Sequence, residues 1–338
     1  MRCIIVLLLG IGLAMPATAQ NFEKGEEAYN RGDYEAALRE WRPLAEQGFA
    51  QALHSLGVMY DNGLGVPQDY AEAARWIRKA AEQGFAVAQH DLAGMYSEGR
   101  GVAQNYAEAA KWSRRAAEQG HANAQHNLGG MYLRGQGVSQ DYEEAVTWSR
   151  KAAEQNFAAA QYNMGLAYSE GYGVPNDYGE AVRWWKKAAE QGLAEAQYTV
   201  GLVYYSGKGV SQDYTEAMKW FRLAADQDDA WAQNNLAVMY GTGQGVAQDF
   251  AEAVKWYRKA AEQGLADAQA NLGSYYGKGL GVKQDDVTAH MWFSLAAAQD
   301  DKVAATYLEI LAATMAAADI SKAEHLAREW LERHGKAG

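Results

Sequence analysis

Three histidines fall at one spacing: His54, His90 and His126 are 36 residues apart. Imidazoles in register are side chains suited to binding zinc or moving protons near neutral pH. A shared zinc ion needs its ligands about 2.0–2.1 Å away, whereas side chains on neighbouring helical layers are separated by ~8–10 Å, or more where a second helix intervenes. No metal site is therefore expected from this series. It continues as Tyr162, Tyr198, Asn234 and Ala270, so its chemistry changes along the chain while its spacing does not.

Other routes to catalysis are missing as motifs. The chain has no S-x-x-K, G-x-S-x-G, H-E-x-x-H or Walker pattern, so neither an activated nucleophile nor a phosphate cradle is indicated. Paired glycines such as Gly63 and Gly65 have the spacing of a dinucleotide loop, but they follow helical rather than strand patterns and read as turns. Cys3 is the one cysteine, and it precedes the cleavage motif described below, which leaves no thiol for disulfides, zinc or nucleophilic attack. Neither a catalytic residue nor a cofactor is expected.

The elements that carry these positions follow from the period. Tyr60, Tyr96, Tyr132, Tyr168, Tyr204, Tyr240 and Tyr276 recur every 36 residues, as do Trp76, Trp112, Trp148, Trp184, Trp220, Trp256 and Trp292. Each of the seven units reads as helix, turn, helix. In the second unit Ala86, Ala88, Leu92 and Tyr96 share one side of a first helix. Ser97-Glu98-Gly99-Arg100-Gly101 then ends it with residues that tolerate φ > 0.

A capping box opens the second helix: Asp69 with Glu72, Asn105 with Glu108, Asp141 with Glu144, Asp177 with Glu180, Asp213 with Glu216, and Asp249 with Glu252. The first residue is expected to accept from an orphan N–H and the glutamate to answer the N-cap N–H. Gly84, Gly120, Gly192 and Gly264 are placed to close the helix at C′. Alanine pairs such as Ala80-Ala81, with Gly57, Ala93, Gly129, Gly165 and Gly201, allow close helix packing. A single pair cannot bury its apolar faces alone, so the units must stack into an all-α solenoid of antiparallel helix pairs.

The ends differ. Arg2, the apolar run from Ile4 to Leu13 and Ala17-Thr18-Ala19 have the form of a secretory signal over residues 1–19, with cleavage near Ala19. Residues 20–47 read as an N-terminal cap, in which Asn30-Arg31-Gly32-Asp33 replaces the longer loop. The repeats cover 48–299. Residues 300–338 read as two capping helices, with Leu308, Leu311 and Met315 on one and Leu326, Trp330 and Leu331 on the next. Their charged residues Glu324, Arg328, Glu332 and Arg333 are expected to face water.

The formal charge is −11; removal of Arg2 with the signal makes it −12, from 42 acids and the 30 bases that remain. Such a field repels phosphate backbones, so nucleic acid is not an expected partner. Beyond the signal, no run approaches the ~20 apolar residues of a membrane span. The mature chain is expected in the periplasm or outside the cell, without membrane insertion.

The run A-x-A-x-x-x-L-G-x-x-Y, G-x-G-V, D-Y-x-E-A and W-x-x-x-A-A-E-Q-G resembles the Sel1-like repeat, over about residues 48–299. Residues from Ala122-Asn123-Ala124-Gln125-His126-Asn127-Leu128-Gly129 through Trp148 to Glu154-Gln155 show one complete unit. The segment from Tyr29 to Gln47 looks more like a tetratricopeptide half-repeat. The resemblance implies a right-handed superhelix whose first helices line the concave side, and a role as a protein-binding adaptor. A cysteine-rich branch of that family is associated with β-lactam binding; this chain has no cysteine in any unit.

The candidate partner-binding positions lie on the first helices. Tyr198, Leu202 and Tyr205 follow at i, i+4 and i+7 on one stripe, with Tyr162 and Leu166 one unit back and Trp231 and Asn234 one unit on. Aromatic anchors of this kind suit protein-binding hot spots. His54, His90 and His126 would add pH sensitivity to the same face. The expected function is an exported scaffold or adaptor for protein–protein interaction, in envelope signalling or assembly. The alternatives are a cell-wall or β-lactam hydrolase and a secreted factor that engages a host protein.

Overall fold

The computed structural model describes residues 17–335, and among them eighteen α-helices and no strand. The apolar run from Ile4 to Leu13 lies outside the described residues. The chain divides after Gln155 into two compact units.

The N-terminal unit contains α1 (Ala17–Asn30), α2 (Tyr34–Glu46), α3 (Ala50–Asn62), α4 (Tyr70–Glu82), α5 (Ala86–Glu98), α6 (Tyr106–Glu118), α7 (Ala122–Arg134) and α8 (Tyr142–Glu154). The C-terminal unit contains α9 (Ala158–Glu170), α10 (Tyr178–Glu190), α11 (Ala194–Ser206), α12 (Tyr214–Ala225), α13 (Ala230–Thr242), α14 (Phe250–Glu262), α15 (Ala266–Lys278), α16 (Asp286–Ala297), α17 (Lys302–Ala312) and α18 (Ala317–His334). Within each unit every helix packs on the next in sequence from α1 to α8 and from α9 to α17. Each unit is thus a solenoid of antiparallel helix pairs.

The turns behave as their glycines require. Gly99 ends α5 at φ +73°, donating its N–H to the Met95 carbonyl. Two residues on, Gly101 also has positive φ, and a Cβ there would collide with the Tyr70 carbonyl of the preceding pair. The second glycine therefore serves a close approach between repeats as well as a backbone shape. Where the C′ glycine of the second helix is replaced, Asn156, Asp228 and Asp300 take the left-handed conformation instead, with φ of 64–65°, as these residue types do most readily among non-glycines.

The capping boxes form by halves. Asp69 Oδ1 accepts from the Ala71 and Glu72 amides at 3.0 Å, but the Asp69 N–H donates to the Tyr60 carbonyl at 2.9 Å. The same backbone bond recurs from Asn105 to Tyr96, Asp141 to Tyr132, Asp177 to Tyr168, Asp213 to Tyr204 and Asp249 to Tyr240. The expectation that glutamate answers the N-cap N–H is thus corrected: the tyrosine carbonyl, an orphan at the end of the first helix, takes that donor. Five of the six freed glutamates pair with bases one turn on, as in Glu72–Arg75 and Glu252–Lys255, and Glu144 accepts from the Trp148 indole.

Between layers, small residues sit under large ones. A Cβ on Gly165 would overlap the Trp185 ring, and one on Gly201 would lie 2.5 Å from Phe221 Cδ1. Phe221, Leu236 and Met239 have no accessible surface. Five of the seven repeating tryptophans carry a base three residues on over the ring, as with Lys79 at 4.2 Å from Trp76 and Lys187 at 4.3 Å from Trp184.

A ladder of buried glutamines ties the repeats together. Gln89 Nε2 donates to the Ala81 carbonyl of α4, and Gln89 Oε1 accepts from Gln119 Nε2 at 2.7 Å. Gln125 repeats both bonds, to Ala117 and from Gln155. In the C-terminal unit Gln197, Gln233 and Gln269 donate to Ala189, Ala225 and Ala261 and accept from Gln227, Gln263 and Gln299. Each rung adds a second donor to a carbonyl of the last helical turn, which already accepts from a backbone N–H such as that of Gly84 at Ala81, and pairs the buried glutamine amide itself, which left unpaired would cost ~1–3 kcal/mol.

The ends close differently. Asp33 caps α2 by accepting from Ala36 N, and Trp41 donates its Nε1 hydrogen to the Phe22 carbonyl. At the other end α18 packs on α16, burying Ala327 and Trp330 against Trp292. Two residues depart from expectation. Met315 lies beyond α17, because the Thr314 N–H turns back to Leu311 and ends the helix; Leu331 faces solvent rather than the core.

Candidate functional site

The positions singled out from sequence all lie on first helices, and the structure gives them different surroundings in the two units. In the N-terminal unit His54 Nε2 stands 2.7 Å from Asp91 Oδ2 of the next repeat, and its ring meets Phe85 edge-on at 5.5 Å. His90 stacks on His121 at 4.8 Å between centroids. His121, which sequence reasoning missed, caps α7 by accepting from Ala124 N. Burial pushes His90, His121 and His126 below the ordinary imidazole value, aided at His121 by His90 and at His126 by Arg134. The described residues contain no group of three or more His, Cys, Asp or Glu side chains arranged for a metal ion.

In the C-terminal unit the tyrosines of the stripe are built into the framework. Tyr162 packs on the core around Trp185. Tyr198 tilts against Phe221 at 5.8 Å, and burial raises its hydroxyl above the usual phenol range. Tyr205 meets Tyr214 edge-on at 5.3 Å and donates its hydroxyl to Gln244 Oε1 at 3.0 Å. Asn234 is buried and accepts from Asn271 at 3.3 Å. Leu166, Leu202 and Trp231 present 38%, 38% and 49% of their surface to solvent. The structure thus gathers Tyr198 and Tyr205 around Phe221 and leaves Leu166, Leu202 and Trp231 as the apolar groups that a partner could reach.

Residues not singled out from sequence shape the N-terminal unit. A recess of about 390 Å³ is lined by Asp61, His90, Asp91, Gly94, Glu98, Arg100 and Asn127, among others. A second recess of about 200 Å³ shares Gly94, Glu98 and Asn127 with the first and reaches Ser113 and Arg134. Arg100 is shared between Asp61 and Glu98, each 3.5 Å away. The other Asp61 oxygen, Oδ1, has no hydrogen-bond partner among the described residues.

The recesses exist because bulk is missing at two registers. Gly94 and Gly130 fall in the series Val58, Leu166, Leu202 and Val238, while Ser113 and Ser149 fall in the series Ile77, Trp185, Phe221, Tyr257 and Phe293. Gly94 sits in the middle of α5, where a Cβ would meet nothing within 4 Å. A glycine there costs ~0.5–1 kcal/mol relative to alanine and gains no packing in return. These two interrupted series are the signal in the sequence that would have found the recess.

Comparison with known proteins agrees with this architecture. The Sel1 repeat matches residues 50–85, 86–121, 122–157, 158–193, 194–229, 232–265 and 266–301. A Sel1 repeat protein from Oxalobacter formigenes has a similar structure, with a TM-score of 0.68 and 33% identity over 87% of this chain and 89% of that one. The chain is also similar to c5321, a protective antigen present in uropathogenic Escherichia coli strains displaying an SLR fold, at 29% identity over 94% of this chain and 92% of that one, with a TM-score of 0.45. No curated protein matches. The chain therefore belongs to the Sel1 repeat family, whose helical arrays serve as scaffolds for protein interaction.

Proposed function

We propose that this chain is an exported, non-enzymatic scaffold that holds a protein partner against its first helices, in the cell envelope or outside the cell. One observation carries the reading: the packing positions repeat while the solvent-facing positions of the first helices do not. Tyrosine, tryptophan and the glutamine ladder recur at fixed registers, whereas the mostly exposed position of Trp231 holds Gln51, Val87, Asn123, Ala159, Glu195 and Asp267 in the other repeats. A surface freed from packing and varied from repeat to repeat suits recognition of an irregular partner.

Export is supported by Arg2, the apolar run from Ile4 to Leu13 and Ala17-Thr18-Ala19. No described helix is long and apolar enough to cross a membrane. The net charge of −11 disfavours nucleic acid and favours a partner with a basic or neutral face. N-terminal sequencing of the chain recovered from cell fractions tests the export: a start near Gln20 outside the cytoplasm is expected, and an intact Met1 in the cytoplasm overturns it.

Crosslinking in the native envelope tests the scaffold reading. The wild-type chain and a Leu202→Asp, Trp231→Asp double variant are compared after mass spectrometry has identified the crosslinked protein. Both side chains are solvent-facing, so the helical circular dichroism should persist. The yield of the specific crosslink should fall about tenfold, as on loss of a hot-spot contact. An equal yield from the folded variant refutes binding through this face.

A further inference from the structure

The two recesses of the N-terminal unit make one depression, since Gly94, Glu98 and Asn127 border both. Its larger part holds three carboxylates, Asp61, Asp91 and Glu98, against one guanidinium, Arg100. The stacked rings of His90 and His121 do not offset that charge near neutral pH, because burial keeps both below the ordinary imidazole value. Arg134 stands at the far end, on the smaller recess. The depression is therefore acidic at the α3–α5 end and balanced towards α7.

We propose that this depression reads the partner by taking an arginine or lysine side chain of an extended peptide segment. The proposal rests on the scaffold reading above and adds the chemistry of the partner. A cationic head can donate to Glu98, which borders both parts of the depression and lies 3.5 Å from Arg100, while Asp61, paired with Arg100 through Oδ2, adds negative charge at the same end. Gly94 leaves the middle of α5 bare, so a peptide backbone can lie against it without meeting a side chain. Asn127 offers an amide donor and acceptor to the same backbone. A glutamate in place of the base would face the carboxylates, and a leucine would cover polar groups without bonding to them.

The probe is a set of acetylated, amidated heptapeptides of glycine, serine and alanine with one central arginine, lysine, leucine or glutamate. They are titrated into the purified full chain labelled with ¹³C-histidine, and the His90 and His121 ring resonances are followed. The arginine and lysine peptides should shift these resonances saturably, with the leucine and glutamate peptides about tenfold weaker or worse. Gly94→Leu places in the depression the residue found at the equivalent positions Leu166 and Leu202, and should abolish the arginine response while the helices persist. Glu98→Gln keeps the shape and should weaken arginine binding about tenfold.

Equal responses to all four peptides overturn the proposal, as does arginine binding unchanged in Glu98→Gln. Its failure is separable from failure of the scaffold reading. Absence of arginine selectivity with an envelope crosslink that still depends on Leu202 and Trp231 refutes the basic anchor alone. Arginine selectivity with a crosslink indifferent to that pair refutes the wider reading of the first-helix face.

Discussion

In the N-terminal unit the side chains that face the small residues of the first helices are Ile77, Ser113 and Ser149; in the C-terminal unit the same register holds Trp185, Phe221, Tyr257 and Phe293. The backbone around them is alike. Thirteen-residue helices, positive-φ glycines and N-capping aspartates recur in both. What differs is how the space between layers is filled. Rings fill it in one unit and prop up the tyrosines above them; in the other, serine and glycine let the surface sink into a polar depression. One repeat can therefore carry two kinds of surface, provided that the residues joining the layers are kept.

Three comparisons would break or sharpen that contrast. The largest effect is expected from Phe221→Ala, which removes a fully buried ring from among Gly201, Tyr198 and Tyr205. The loss should be ~3–5 kcal/mol in urea denaturation. The counterpart Ser113→Ala, which removes only a hydroxyl, should cost less than about 1.5 kcal/mol. Similar losses would show that the two units do not differ in how they are filled.

Next in size is Gly165→Ala. The added methyl would overlap Trp185, and the strain should destabilise the protein by ~1–3 kcal/mol. Gly94→Ala is the same substitution with the opposite expected sign. Its methyl meets nothing within 4 Å, so it should stabilise by ~0.5–1 kcal/mol through helix propensity alone. A destabilising Gly94→Ala would mean that the depression is already filled by neighbouring side chains.

The smallest effect is on pH dependence. His90, His121 and His126 have folded values lowered by burial from the usual 6.5. The unfolded chain then binds protons that the folded chain refuses, so their contribution is intact above pH ~6.5 and declines as pH falls through that value to the lower folded one. Stability should drop on acidification, and the drop should be smaller in a His90→Gln, His126→Gln variant. Histidine resonances that titrate at or above 6.5 would contradict it. Any acid sensitivity of partner binding through His90 or His126 should likewise begin lower than an exposed imidazole would set it.

Much of this was readable beforehand because it is local or periodic. The period of 36, the helix–turn–helix unit, the positive-φ glycines and the capping aspartates depend on neighbours a few residues away, and one sequence displays them seven times over. The reciprocal half of the capping box was not readable: the Tyr60 carbonyl competes for the Asp69 N–H from nine residues upstream, and only the folded turn brings them together. The glutamine ladder was written in the sequence at fixed intervals, but glutamine has no strong preference for burial, so its spacing carried no warning of a buried role. The depression escaped for a different reason. It is made by side chains that are absent, and attention to aromatic and imidazole groups passes over Gly94 and Ser113.

The glutamine rungs have a consequence for how such a chain can change over generations. Each rung joins a first helix only to the helices on either side of it, and every bond recurs after 36 residues. Duplication or loss of one whole module restores each interior bond with an identical copy, whereas a shorter insertion leaves two amides facing the wrong neighbours. The number of modules is thus free to vary while their length is locked. A binding surface can then be assembled by shuffling modules that were already tested separately.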